Sequence, residues 1–314
     1  VPNPPPGRLL FTGAPYAYLK IAEGCNHGCT FCAIPAIRGR TRSRPIAGIV
    51  AEAEALLGRG VRELNLIAQD VTAYGVDRGP SVNLPALLRA LGRIGGRFWI
   101  RLLYGHPALV TPALLDAMGE VGQVCHYLDL PIQHCEGGLL RAMGRPGNEA
   151  ALRATFRLIR AVLPDAVLRT TCLVGFPGET ERPFRKLLDF LDEIRFDHLA
   201  VFAFSPEEGT PAAGLPGRVQ AAEARRRRRR LLLAQQARVR KRAEERIGER
   251  EALLVERYDR RRGAGLARSY GRAPSVDGWV LLRAPASACA PGRWVAGRYT
   301  AASGYDLWAV REST

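Results

Sequence analysis

From Ala17 to Phe204 the chain alternates short apolar runs with longer stretches whose apolar residues recur every third or fourth position. The runs Tyr18–Ala22, Glu63–Ala68, Phe98–Tyr104, Tyr127–Leu130, Ala166–Val174 and His198–Phe204 read as short strands covered on both faces. Helical spacing fills the intervals Ile46–Leu57, Leu84–Ile94, Pro112–Met118, Glu149–Val162 and Glu181–Ile194. Pro45 reads as a first helical residue, and Gly58 and Gly60 as stops. About six strand–helix units predict a parallel α/β sheet over residues 16–217, a partial (β/α)6 barrel rather than a closed eightfold one. In such a barrel the working side chains lie beyond the C-terminal ends of the strands.

A Pro- and Gly-rich stretch, 209–217, ends this region. One long helical pattern follows to Ile247, with Leu231, Leu232, Leu233, Val239 and Ile247 as its apolar positions. The pattern then breaks into short strands, Ala252–Arg257, Gly278–Leu282, Trp294–Thr300 and Asp306–Ala309, parted by Gly and Pro. Residues 248–314 therefore predict a small all-β barrel. Residues 1–15 hold five prolines and read as a lead-in, and a Val at position 1 leads us to expect a piece of a longer protein. No apolar run is long enough to span a bilayer and no signal peptide opens the chain, so a cytoplasmic protein without a membrane partner is expected.

Charge sharpens the division. The formal net charge is +16, almost all of its cations arginine. Residues 1–217 carry 23 basic and 20 acidic side chains, whereas residues 218–247 carry 12 and 3. The excess is a helix-sized stripe, centred on six consecutive arginines, Arg225 to Arg230. Six successive helical residues point all round, so some stems must lie along protein. Contact with RNA and a solvated connecting helix are both open readings, the second preferred.

Seven cysteines, an odd number without an export signal, argue against a disulfide framework. Three of them fall within eight residues, Cys25-Asn26-His27-Gly28-Cys29-Thr30-Phe31-Cys32, directly after the first strand. Three thiolates in one loop suit three irons of a 4Fe–4S cluster and leave the fourth iron open for a ligand. Zinc sites favour paired CxxC units, and His27 inside the loop is awkwardly placed to bind the same ion. At the end of a first barrel strand this spacing resembles the cysteine loop of radical S-adenosylmethionine (SAM) enzymes. Cys125, Cys135 and Cys172 are irregularly spaced and read as small core residues.

The resemblance extends beyond that loop. Ala33-Ile34-Pro35-Ala36-Ile37-Arg38-Gly39-Arg40 with Arg42-Ser43-Arg44-Pro45, Gln69-Asp70 with Tyr74-Gly75, and Gly175-Phe176-Pro177-Gly178-Glu179-Thr180 resemble radical SAM methylthiotransferases. The tail, with Ala267-Arg268-Ser269-Tyr270, Val276-Asp277-Gly278 and Gly304-Tyr305-Asp306-Leu307, is similar to a TRAM domain. Leu130-Pro131-Ile132-Gln133-His134 and the Glu207-Glu208 pair resemble the RimO-type branch, which modifies an aspartate of protein twelve of the small ribosomal subunit, more than the branch that modifies a tRNA adenosine.

The resemblance implies SAM as methyl donor and radical source, a flavodoxin- or ferredoxin-like electron donor, and a second 4Fe–4S cluster in an N-terminal domain absent from this chain. It implies Cys25, Cys29 and Cys32 as cluster ligands and Phe31 beside the adenine. Gln69, Arg169, Thr171 and Gly175 are expected at SAM, with Asp70 either beside Gln69 or capping a turn. Gln133, His134, Glu207 and Glu208 are expected to face the substrate. The ribosome, and RNA through the basic helix, are the expected partners. An RNA-binding module with a structural or redox-sensing cluster is the rival from another class.

Overall fold

The computed structural model describes Leu10 and residues 15–312; the proline-rich lead-in otherwise lies outside the described residues. The chain runs β1 (Tyr16–Lys20), β2 (Ala22–Glu23), α1 (Ile34–Arg38), β3 (Arg42–Ser43), α2 (Ile46–Gly58), β4 (Glu63–Ile67), α3 (Leu84–Gly92), β5 (Trp99–Leu102), α4 (Pro112–Glu120), β6 (Val124–Asp129) and α5 (Gly137–Ala142). It continues through α6 (Glu149–Val162), β7 (Val167–Val174), α7 (Glu181–Ile194), β8 (His198–Ala203) and α8 (Ala221–Glu245). The C-terminal strands are β9 (Arg250–Asp259), β10 (Ala264–Arg268), β11 (Val280–Arg283), β12 (Trp294–Ser303) and β13 (Asp306–Arg311).

The first region is an open sheet in the order β1-β4-β5-β6-β7-β8, every neighbour parallel, as six crossover units require. Its helices begin where the sequence supplies caps. Asn83, Thr111 and Asn148 each accept a hydrogen bond from the backbone N–H three residues on, at 2.9, 3.2 and 3.0 Å. Leu84, Leu87, Leu88 and Leu91 of α3, and Phe184, Leu187, Phe190 and Leu191 of α7, form the buried stripes that cover the sheet. Pro45 caps α2 from an extended conformation rather than entering the helix. The short helices α1 and α5 were not legible in the periodicity, being only five and six residues long.

The C-terminal strands close into a five-stranded barrel, β10-β11-β13-β12-β9. This barrel stoppers the N-terminal mouth of the sheet. Arg268, fully buried, pairs with Glu63 at 2.6 Å, and Arg101 binds both Glu63 at 2.7 Å and the Tyr270 carbonyl at 2.5 Å. Tyr127 donates to Asp277 at 2.6 Å. Helix α8 packs along β8 before its last turns reach the C-terminal barrel. Its buried positions are Ala224, Arg227, Leu231, Gln235 and Ala243, whereas Leu233 and Ile247 are exposed. Two of the buried positions are polar because the sheet edge beneath offers acceptors: Gln235 donates to the Phe196 carbonyl at 2.9 Å, and Arg227 meets Glu179.

Candidate metal and cofactor site

The cysteine loop lies past β1, at the C-terminal end of the sheet, and the backbone holds it from both sides. Cys25 N–H donates to Gly39 O and Thr30 N–H to Met143 O, both at 3.0 Å. Two glycines allow this closeness. A Cβ on Gly24 would strike the Arg40 carbonyl, and one on Gly144 the Gly28 carbonyl; both residues have positive φ, +83° and +68°.

Cys25, Cys29 and Cys32 are half-exposed free thiols. They are close enough that ionised Cys29 and Cys32 oppose ionisation of Cys25, on top of the burial that already raises its pKa. Burial also pushes the Cys29 thiol up, against the Arg145 guanidinium 3.7 Å away. Among the described residues no three His, Cys, Asp or Glu side chains converge as around a single ion. A cubane distributes its thiolates over separate irons, and three neighbouring thiols on an exposed loop fit that demand.

His27, inside the loop, has its side chain engaged by neighbours other than the cysteines. Its Nε2 lies 2.6 Å from Asp70, and its ring stacks on His106 at 4.4 Å. Asp70 caps the turn after β4, accepting from Thr72 N–H at 2.9 Å, so the capping role is met and the carboxylate also braces the cysteine loop. His106 was not singled out in the sequence; it is buried, and burial drives its pKa down to about 3. Gln69, also at the end of β4, donates to Glu23 at 3.2 Å. Phe31 packs edge-on to Phe176, 6.5 Å between centroids, as part of a cluster with Leu139, Met143 and Phe204.

Three expected site residues do other work. Arg169 sits in the N-terminal half of β7, bound to Asp129 at 3.2 Å and Asp277 at 3.4 Å; buried carboxylates occupy its guanidinium. His134, expected to face the substrate, is fully buried here. Its Nδ1 accepts from the N–H groups of Cys135 and Glu136, both at 2.9 Å, and Nε2 turns to Glu179 at 3.5 Å. At Gly175 (φ +74°) a Cβ would overlap Ala224 of α8, and its N–H donates to Glu179, so the missing side chain makes room for a helix.

Gln133 remains half-exposed, with φ +63°. Thr171 accepts its N–H through the backbone at 2.9 Å. Glu207 and Glu208 are exposed in the loop after β8, on the same side of the sheet as the cysteines. Cys125, Cys135, Cys172 and Cys289 are buried apolar-core thiols, and burial raises the pKa of each.

The model of the radical SAM superfamily matches residues 19–191, more than half of the chain and all of the loop just described. The chain belongs to the radical SAM superfamily. A TRAM domain model matches residues 247–311, the C-terminal barrel. Proteins named ribosomal protein uS12 methylthiotransferase RimO are similar over most of this radical SAM chain. That of Moorella thermoacetica is 48% identical over 88% of this chain and 62% of its own length. The Synechococcus sp. RCC307 protein is 49% identical over 96% and 62%, and that of Geobacter sulfurreducens 44% over 96% and 67%. The chain thus spans about two thirds or less of the length of these relatives. A solved radical SAM methyltransferase, TsrM of Kitasatospora setae with cobalamin and a [4Fe-4S] cluster bound, shares the fold at a TM-score of 0.53 and 19% identity, over 63% of this chain and 38% of that one.

Proposed function

We propose that this chain is the radical SAM and TRAM portion of a methylthiotransferase that adds a methylthio group to an aspartate of ribosomal protein uS12. The observation that carries the reading is the braced three-cysteine loop at the C-terminal end of the sheet, in a chain 44–49% identical to RimO proteins over up to 96% of its length.

Cys25, Cys29 and Cys32 would hold a 4Fe–4S cluster, with SAM at its open iron. When bound, that pair supplies the one-electron cleavage that activates an unreactive C–H bond. The chain's own residues bind, brace and shield. Arg145 places a positive charge beside Cys29 and ties itself to the Pro131 carbonyl at 2.7 Å, linking the cysteine loop to the segment before Gln133. Asp70 fixes His27, and Phe31 with Phe176 walls one side with apolar surface. Sulfur delivery needs a further ligand set. The four remaining cysteines, each packed in a core, are unsuited to it, which favours a second cluster outside this chain.

Glu207 and Glu208 give the mouth an acidic edge that suits a basic ribosomal protein. The exposed arginines of α8, Arg225, Arg226 and Arg229, suit docking on ribosomal RNA. The electron donor is expected to be flavodoxin- or ferredoxin-like. Anaerobic reconstitution with iron, sulfide and SAM tests the first layer: dithionite-reduced protein should release 5′-deoxyadenosine, and none would refute radical chemistry. The full-length protein, offered a uS12 peptide and tRNA side by side, should gain a methylthio mass on the peptide alone. Modification of tRNA instead would transfer the protein to the other branch.

A further inference from the structure

Among the described residues four non-glycine positions have positive φ. Arg195 ends a helix and Ser275 lies in the segment between β10 and β11. The other two, Tyr104 (φ +65°) and Gln133 (φ +63°), follow the adjacent strands β5 and β6 on the side of the sheet that carries the cysteine loop. Left-handed backbone at a bulky residue persists only where its surroundings force it, and such positions gather at functional sites.

What forces Tyr104 is visible. Its N–H donates to Asp129 Oδ2 at 3.3 Å, its carbonyl accepts from Val71 N–H at 3.0 Å, and the next residue, Gly105, donates to the Asp129 carbonyl at 2.8 Å. A Cβ on Gly105 would crowd Thr72 and Leu130, so the turn has no slack. The side chain this turn presents is half-exposed, at 51%. Burial, and after it the neighbouring phenols of Tyr16 and Tyr104, raise the pKa of Tyr18 in β1, so Tyr104 lies near that strand. Its hydroxyl has no hydrogen-bond partner among the described residues. The seat is rigid, and no described residue uses the hydroxyl it presents.

The seat is anchored far below. Asp129 Oδ1 binds Arg169 at 3.2 Å, and Arg169 binds Asp277 of the C-terminal barrel at 3.4 Å. Asp277 in turn accepts from Ala273 N–H at 2.8 Å and from the Tyr127 hydroxyl at 2.6 Å. Asp129 and Asp277 are both only 3% exposed, so both carboxylate ends of this line of charges are screened from solvent.

We propose that Tyr104 binds the substrate's side-chain carboxylate through its free hydroxyl, and that Asp277 is its positioning residue, acting through Arg169 and Asp129. The substrate class rests on the function proposed above. On this view the C-terminal barrel is part of the floor of the site and helps set its geometry.

The test uses the reconstituted full-length protein with SAM and a uS12 peptide containing the target aspartate, with binding followed by fluorescence anisotropy. Tyr104→Phe should weaken binding about tenfold, the loss of one hydrogen bond to a charged group. Asp277→Asn should weaken it about threefold, and the double variant no further than Tyr104→Phe alone, because one effect passes through the other. Should Asp277→Asn fail to fold, Arg169→Lys, which keeps the charge but not the two-way reach, replaces it with the same expectation. Unchanged affinity in Tyr104→Phe overturns the role of Tyr104, and additive losses overturn the route from Asp277; either leaves the function standing. A wild-type protein that ignores the peptide overturns both.

Discussion

Arg227 reaches the Glu179 carboxylate at 2.9 Å, and both residues are buried. Arg227, the seventh residue of α8, thereby fastens that helix to the turn after β7, where Glu179 also holds Gly175 N–H and faces His134. Arg227 is the third of six consecutive arginines, and its neighbours differ sharply. Arg228 donates to the Val201 carbonyl at 2.9 Å and Arg230 to Glu181 at 3.0 Å, while Arg225 and Arg229 are exposed.

Removing the buried member of that run should therefore be costly and removing an exposed one should not. Arg227→Ala leaves Glu179 buried without its counter-charge, a loss of about 3–5 kcal/mol, whereas Arg229→Ala should change stability by less than about 0.5 kcal/mol. Urea unfolding of the two variants beside the parent chain measures the contrast. Equal midpoints would mean that α8 is not fastened here.

The cysteines divide by environment. Cys25→Ser, Cys29→Ser and Cys32→Ser should each abolish retention of iron after reconstitution, and Cys125→Ala or Cys172→Ala should retain it. Iron and sulfide analysis with the visible spectrum decides the matter. A full iron complement in any of the first three variants would remove that thiol from the ligand set.

Gly144 makes the cysteine loop possible although it lies far from it in sequence. In Gly144→Ala the new methyl meets the Gly28 carbonyl at a positive φ, a strain of about 1–3 kcal/mol concentrated on the loop. Reduced iron content should accompany an intact C-terminal barrel, seen by limited proteolysis. Normal iron incorporation would show that the loop yields easily.

Acid should destabilise the chain through His106. Burial holds this imidazole's pKa down at about 3, whereas in the unfolded chain it titrates near its ordinary value of about 6.5. Below that value the unfolded state takes up the extra proton, so its contribution is complete above about pH 6.5. It falls by up to about 1.4 kcal/mol per pH unit as the pH drops towards 3. His198, mostly buried and likewise shifted down by burial, acts in the same direction. Unfolding free energies across this range should show a shallower slope in His106→Phe than in the parent. Identical slopes would place the proton uptake elsewhere.

The sequence by itself determined the order of the elements, because their evidence is local. Apolar residues at helical spacing with Asn83, Thr111 and Asn148 before them announce α3, α4 and α6, and short apolar runs announce six parallel strands. It also determined the cysteine loop, whose three candidate ligands stand within eight residues. Partners distant in the chain were beyond it. Arg169 looks like a cofactor-facing residue until strand register brings Asp129 beside it and the second barrel delivers Asp277. His134 looks exposed until Glu179 covers it, Gly175 looks like a cofactor turn until Ala224 fills the space, and nothing local marks Tyr104 as left-handed. Periodicity reports which face of an element is buried; what that face meets depends on register and packing between segments that can lie more than a hundred residues apart, and only the assembled fold decides it.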